Sequence, residues 1–326
     1  MARLVIVSNR VPDVSDGAAP RAGGLAVGLA DALVPGSVWF GWSGKCIDTR
    51  SHDVTRAEAE GVTYATIDLA EADHRAFYLG FSNATLWPLF HMMPSFVTFD
   101  SAEYKAYREV NEQFAEALMA LLRPDDLIWI HDYQLLGVAA DLRRRGVRNR
   151  IGFFLHIPFP APAILELLPC AEELLSGMLA HDVIGFHTPP DRARFLEAMA
   201  AHGYQVQGDD VLHEGRRIRV VVTPIGIDVE GFSRLAGRAI RRVEAKRVVE
   251  SLNGRTLMIS ADRLDYTKGL PARFDAYRRF LGSYPEHRRR ISFLQVAAPS
   301  REEVEKYKSL RDELAYKACL LYTSPS

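Results

Sequence analysis

Short apolar runs alternate along the chain with longer stretches of helical periodicity. Leu4–Val7, Val38–Trp42, Val62–Leu69, Leu127–Ile130, Ile151–Leu155, Asp182–Phe186 and Arg217–Val222 have the length and residue types of strands. Ile151–Leu155 is apolar throughout, which suits a parallel strand covered on both faces, although so short a run also fits buried helix. Between these runs, Glu71–Gly80, Ser101–Leu122, Leu135–Arg145 and Asp191–Ala201 are predicted helices. In Ser101–Leu122 the positions Tyr104, Tyr107, Val110, Phe114, Leu118 and Leu121 fall on one face. FSNATLWP, residues 81–88, reads as a loop. Further on come helix Arg238–Leu252, strand Thr256–Ser260, helix Leu270–Leu281, strand Ile291–Val296 and helix Arg301–Leu314. Strand–helix alternation of this kind predicts an α/β protein of doubly wound parallel sheets. With 326 residues, two domains are expected, placed at 1–235 and 236–326.

Polar residues recur where the predicted strands stop: Ser8-Asn9-Arg10, His131-Asp132-Tyr133, His156 and His187-Thr188. Ligands of open parallel sheets gather outside the carboxyl ends of the strands. Right-handed crossover puts Asp132 and His156 on the same sheet edge. Pro158 and Pro160 then end any regular element after His156. Gly23 and Gly24 open an apolar helix, an arrangement that admits an anion to a helix N-terminus but equally suits a plain turn. Neither the phosphate-loop nor the GxGxxG pattern is present. Trp87, ahead of Pro88, reads as a packing anchor or a sugar-stacking ring. Arg263 and Lys268, five apart after a strand, fit a diphosphate or a surface ion-pair loop.

Composition narrows the classes. A net charge of −1 and a pI near 6.8 argue against nucleic acid, whose backbone needs a basic surface. Arg143–Arg145 and Arg288–Arg290 read as solvated helix ends. Three widely spaced cysteines make neither a disulfide framework nor a metal motif, which suits a cytoplasmic protein and leaves the Asn83-Ala84-Thr85 sequon idle. The apolar run near Met1 is too short for a signal peptide. The most apolar longer window, Ile151–Cys170, holds His156, Glu166 and four prolines, so no membrane segment is expected.

Eight blocks in order, SNR, AGGLAVGL, WFGWSG, FSNATLWP, IWIHDYQLL, RIGFFLHIPFP, TPIGID and RLDYTKGLPARF, resemble the trehalose-6-phosphate synthases. That resemblance implies a GT-B-type retaining glycosyltransferase, with two Rossmann-like domains facing a cleft. It also implies UDP-glucose as donor and glucose 6-phosphate as acceptor, with no cofactor and no metal. Carried over residue by residue, it assigns Arg10, Tyr78 and Arg301 to the acceptor phosphate, Trp87 to the acceptor sugar and Asp132 to its hydroxyls. Gly23 and Gly24 would approach the donor, Arg263 and Lys268 would take its diphosphate, and His156 would position the donor glucose. Asp132, His156, Arg263 and Lys268 would thus form the catalytic set. After Leu314 the resemblance stops, and the second domain is expected to be incomplete, with 315–326 a non-native tail. Three alternatives remain open: a relative with another acceptor, such as a glucosylglycerol-phosphate synthase, a non-catalytic sugar-phosphate-binding subunit, or an inactive fragment. Homo-oligomer formation is compatible with the sequence.

Overall fold

The structure is a computed structural model that describes residues 2–14, 28–29, 32–299 and 305–323. The chain divides into two compact units, Met1–Gly226 and Ile227–Ser326, nine residues ahead of the 235/236 boundary expected from sequence.

The first unit is built on a ten-stranded sheet: β1 (Leu4–Arg10), β2 (Val38–Ile47), β3 (Thr55–Ala59), β4 (Val62–Ala70), β5 (Leu127–His131), β6 (Arg150–Phe154), β7 (Val183–Phe186), β8 (Gln205–Gln207), β9 (Asp210–His213) and β10 (Arg216–Val222). Their spatial order is β3-β4-β2-β1-β5-β6-β7-β10-β9-β8. Every neighbouring pair from β4 across to β10 is parallel, whereas β3 at one edge and β9 and β8 at the other are antiparallel. The apolar runs supply the parallel core, where Val5, Ile6, Val7, Ile130, Ile151 and Ile184 are fully buried. Each such side chain stabilises the sheet by about 1.5–3 kcal/mol relative to exposure. The chain first winds outward from β1 to β4, then returns to lay β5 beside β1 and winds the other way. The order therefore reverses between β1 and β5, and in such sheets that reversal opens a ligand crevice at the strands' carboxyl ends.

Two sequence expectations are corrected here. Residues 81–88 are not a loop: a π-helical segment, His74–Leu86, runs into a short α-helix, Trp87–Phe90. Its apolar side packs Phe77 and Phe81 on Tyr107 of helix Ser101–Met119. Its polar Asn83 is satisfied by the Tyr78 carbonyl (2.7 Å) and the Tyr133 hydroxyl (2.8 Å), so tertiary bonding overrides the loop-like composition. Helix Arg238–Leu252 is in fact two helices, Val229–Ala239 and Val243–Ser251, broken at Arg242, whose backbone is extended.

The second unit pairs β11 (Thr256–Arg263) in parallel with β12 (Ile291–Ala298) and carries helices Leu270–Ser283 and Glu305–Thr323. Its small core gathers Leu264, Leu270, Leu310 and Leu314, with Phe274 packed alongside.

Candidate functional site

Arg10 ends β1 beyond a register shift, in which Ser8 pairs with Gly41 but Arg10 pairs with Trp42. Ser8 holds the irregularity by accepting from Trp39 Nε1 (2.8 Å) and donating to the Arg10 carbonyl (3.0 Å). Gly41 makes room for it, because a Cβ there would collide with the Ser8 carbonyl oxygen. The exposed Arg10 guanidinium lies 5.7 Å from the Trp42 ring centroid. Gly44, at φ +90°, brings its backbone so close that a Cβ would sit 2.6 Å from that guanidinium. Two further rings pack beside Trp42, His74 at 4.8 Å and Tyr78 at 6.3 Å between centroids. A fixed cation backed by an aromatic face is suited to an anionic group.

On the far side of the reversal, β5 ends in His131 and Asp132. Asp132 has φ 76° and ψ 166°, a backbone region that glycine alone adopts without strain. Three bonds hold it there: its N–H donates to the Phe154 carbonyl (2.9 Å), its carbonyl accepts from Leu135 N–H (3.1 Å), and Oδ1 accepts from His156 N–H (3.2 Å). The ends of β5 and β6 are thereby tied together. The ring of His156 meets His131, with Nε2 3.0 Å from Nδ1, and stands 5.6 Å from the ring of His187 after β7. Burial, followed by the neighbouring His187, pushes the His156 pKa down to about 4. Burial also lowers His131 well below the ordinary imidazole value, and lowers His187 despite the opposing pull of Asp191. All three imidazoles are neutral at pH 7 and serve as hydrogen-bonding groups rather than cations. They do not converge as ligands, since among the described residues no group of three His, Cys, Asp or Glu is arranged to hold a metal ion.

Trp87 is 5% exposed and packs against Tyr133 (5.6 Å) and His91 (4.3 Å). It thus lies one residue contact away from Asp132, behind Tyr133. In the second unit, Arg263 closes β11 and Lys268 ends the turn Tyr266–Lys268. Buried Asp265 shapes that loop by accepting from Thr267 N–H (3.0 Å) and Thr267 Oγ1 (2.8 Å), while Arg273 donates to the Lys268 carbonyl (3.1 Å). Gly23, Gly24 and Arg301 lie outside the described residues.

The structure therefore joins Arg10 and Tyr78 through Trp42, bonds Asp132 to His156, and sets Arg263 and Lys268 on one loop. Three neighbours of these residues were given no site role in the sequence reading: Trp42, His131 and His187. The two histidines had a signal, since each closes an apolar run just as His156 does. Trp42 had none, because nothing local shows which rings share its face.

The model of glycosyltransferase family 20 matches residues 5–318. This chain belongs to that family. The trehalose-6-phosphate synthase of Enterobacter sp. (strain 638) is 42% identical over 321 residues, which are 98% of this chain and 67% of the relative. Among solved structures, an α,α-trehalose-phosphate synthase (UDP-forming) from Burkholderia vietnamiensis superposes with a TM-score of 0.94 at 43% identity. It is matched over 98% of this chain and 69% of its own. A synthase of the same description from Burkholderia xenovorans, in complex with glucose-6-phosphate, gives 0.90 at 40% identity, over 98% of this chain and 70% of its own. The chain thus spans about two thirds of the length of these family members, and the family match continues four residues past Leu314.

Proposed function

We propose that the chain acts in the transfer of glucose from UDP-glucose to glucose 6-phosphate with retention, giving α,α-trehalose 6-phosphate and UDP. The observation that carries this reading is the pairing, at the sheet's reversal point, of an aromatic-backed cation with a carboxylate and a neutral imidazole. Arg10 on Trp42 suits a phosphate, and Asp132 tied to His156 suits sugar hydroxyls. The relatives' names add a balance: if the product is an α,α-trehalose phosphate, the acceptor glucose 6-phosphate and the departing group UDP, the donor is UDP-glucose.

In this reading Arg10, Tyr78 and Arg301 hold the acceptor phosphate. Trp87 backs the acceptor sugar through its contact with Tyr133, and Asp132 binds acceptor hydroxyls. Gly23 and Gly24 approach the donor, His156 positions the donor glucose, and Arg263 and Lys268 neutralise the diphosphate. The bond from the donor anomeric carbon to the diphosphate oxygen breaks, and a bond from that carbon to the acceptor's anomeric oxygen forms on the same face. The acceptor hydroxyl proton passes to the departing diphosphate. The side chains then contribute positioning and charge stabilisation rather than a covalent intermediate. The widely spaced cysteines support a cytoplasmic site of action, and no helix among the described residues is long and apolar enough to cross a membrane.

An assay of UDP release from UDP-glucose, run with glucose 6-phosphate and in parallel with glycerol phosphate, tests the proposal. Release dependent on glucose 6-phosphate, with a retained α-linkage in the product, is the expected result. Release with glycerol phosphate alone would move the chain to another acceptor class.

A further inference from the structure

His156 is gripped twice by two consecutive residues. The Asp132 carboxylate accepts its backbone N–H, and the His131 ring meets its ring at 3.0 Å. In a regular strand, residues 131 and 132 would project to opposite faces. The positive φ of Asp132 breaks that alternation, so that both side chains reach the same neighbour. The ring–ring contact needs one proton between His131 Nδ1 and His156 Nε2, and two arrangements of neutral rings provide it.

The distinction lies at the other end of the His131 ring. His131 is fully buried, and its Nε2 has no hydrogen-bond partner among the described residues. A proton on that nitrogen would be a buried donor without an acceptor, the rarer and costlier kind of unsatisfied group. The proton of His131 therefore belongs on Nδ1, which donates to His156 Nε2. A neutral His156 must then carry its own proton on Nδ1. That is the tautomer free imidazole disfavours, so it needs a partner to impose it.

We infer that His131 is a positioning residue which fixes His156 as the Nδ1–H tautomer, so that this ring offers a hydrogen-bond donor to an oxygen of the donor hexose. The tautomer assignment stands on the histidine geometry alone, and only its chemical use rests on the function proposed above. His156, partly exposed, has no partner for Nδ1 among the described residues. Its role toward a sugar is to donate a hydrogen bond, without titrating and without acting as a base.

Long-range proton–nitrogen correlation spectra of the full chain, labelled with 15N-histidine at pH 7.5, read the tautomer directly. The native chain is expected to show His156 protonated on Nδ1 and accepting at Nε2. His131→Asn, whose amide can still donate at the Nδ1 position, is expected to keep that signature, and His131→Leu to shift His156 to the Nε2–H form. Finding Nε2–H in the native chain, or no change in His131→Leu, would overturn the inference. The native spectrum alone is decisive if His131→Leu does not fold. Adding UDP-glucose is expected to displace the Nδ1–H signal. An undisplaced signal would remove His156 from the donor site while the tautomer assignment stands.

Discussion

Asp132 pays for its place with backbone strain, and that strain is measurable. A non-glycine residue at this φ and ψ costs about 1–3 kcal/mol, against about 1 kcal/mol for the bond its carboxylate accepts from His156. Asp132→Gly is thus expected to be neutral or up to about 2 kcal/mol more stable to urea, while losing use of the acceptor. Asp132→Ala keeps the strain without the bond and should be about 1–2 kcal/mol less stable. Arg10→Ala removes a charge-assisted contact worth about 1.5–3 kcal/mol, which corresponds to a roughly 10- to 150-fold weaker use of glucose 6-phosphate. Unchanged glucose 6-phosphate kinetics would refute the phosphate role. The buried histidines set the pH response. Burial lowers both His156 and His181 from the ordinary 6.5 to about 4. Between those values the unfolded chain binds protons that the folded chain refuses, so stability rises with pH through the window and falls as pH drops from about 6.5 to 4. The loss is on the order of 3 kcal/mol per ring. Urea midpoints at pH 7.5, 5.5 and 4.5 should decline in that order.

At the scale of elements, the end of β1 shows how two strands aim one side chain. The Ser8–Arg10 irregularity depends on Gly41, and the resting place of Arg10 depends on Gly44. Gly44→Ala would put a Cβ against the guanidinium and strain a residue at φ +90°, at a cost of about 1–2 kcal/mol. Its acceptor KM should rise while that for UDP-glucose changes little, as read from the glucose 6-phosphate dependence of UDP release. The parallel strands were legible in sequence because each is an apolar run bounded by polar residues. Strands β3, β8 and β9 were not, because an edge strand such as Thr55–Ala59 is largely exposed and needs no apolar run. The π-helical segment was hidden for a different reason. Its Asn and Thr residues look like a loop until Tyr78, Tyr133 and Thr98 supply their partners.

Over the whole molecule, burial is unevenly shared. The first unit has a long central sheet with fully buried strands, whereas in the second the two paired strands leave Met258, Ile259, Leu294 and Val296 exposed. Local stability follows buried apolar contact and protected backbone bonds. In native-state hydrogen exchange, amides of β1, β5 and β6 should therefore exchange most slowly, and those of β11 and β12 at least about tenfold faster, a difference of about 1.4 kcal/mol. Equal protection in the two units would contradict this.

The amino-acid sequence by itself determined the α/β class, the parallel strands and the polar residues at their ends, since burial on both faces demands continuous apolar runs and polar residues mark where that burial stops. Its motif blocks also identified the family. Only the tertiary structure decided that the ends of β1 and β5 are neighbours, because the reversal between them follows from sheet order rather than from any local signal. That order ties Asp132 to His156 and His156 to His131, residues 24 and 25 positions apart, through contacts that no spacing along the chain could specify.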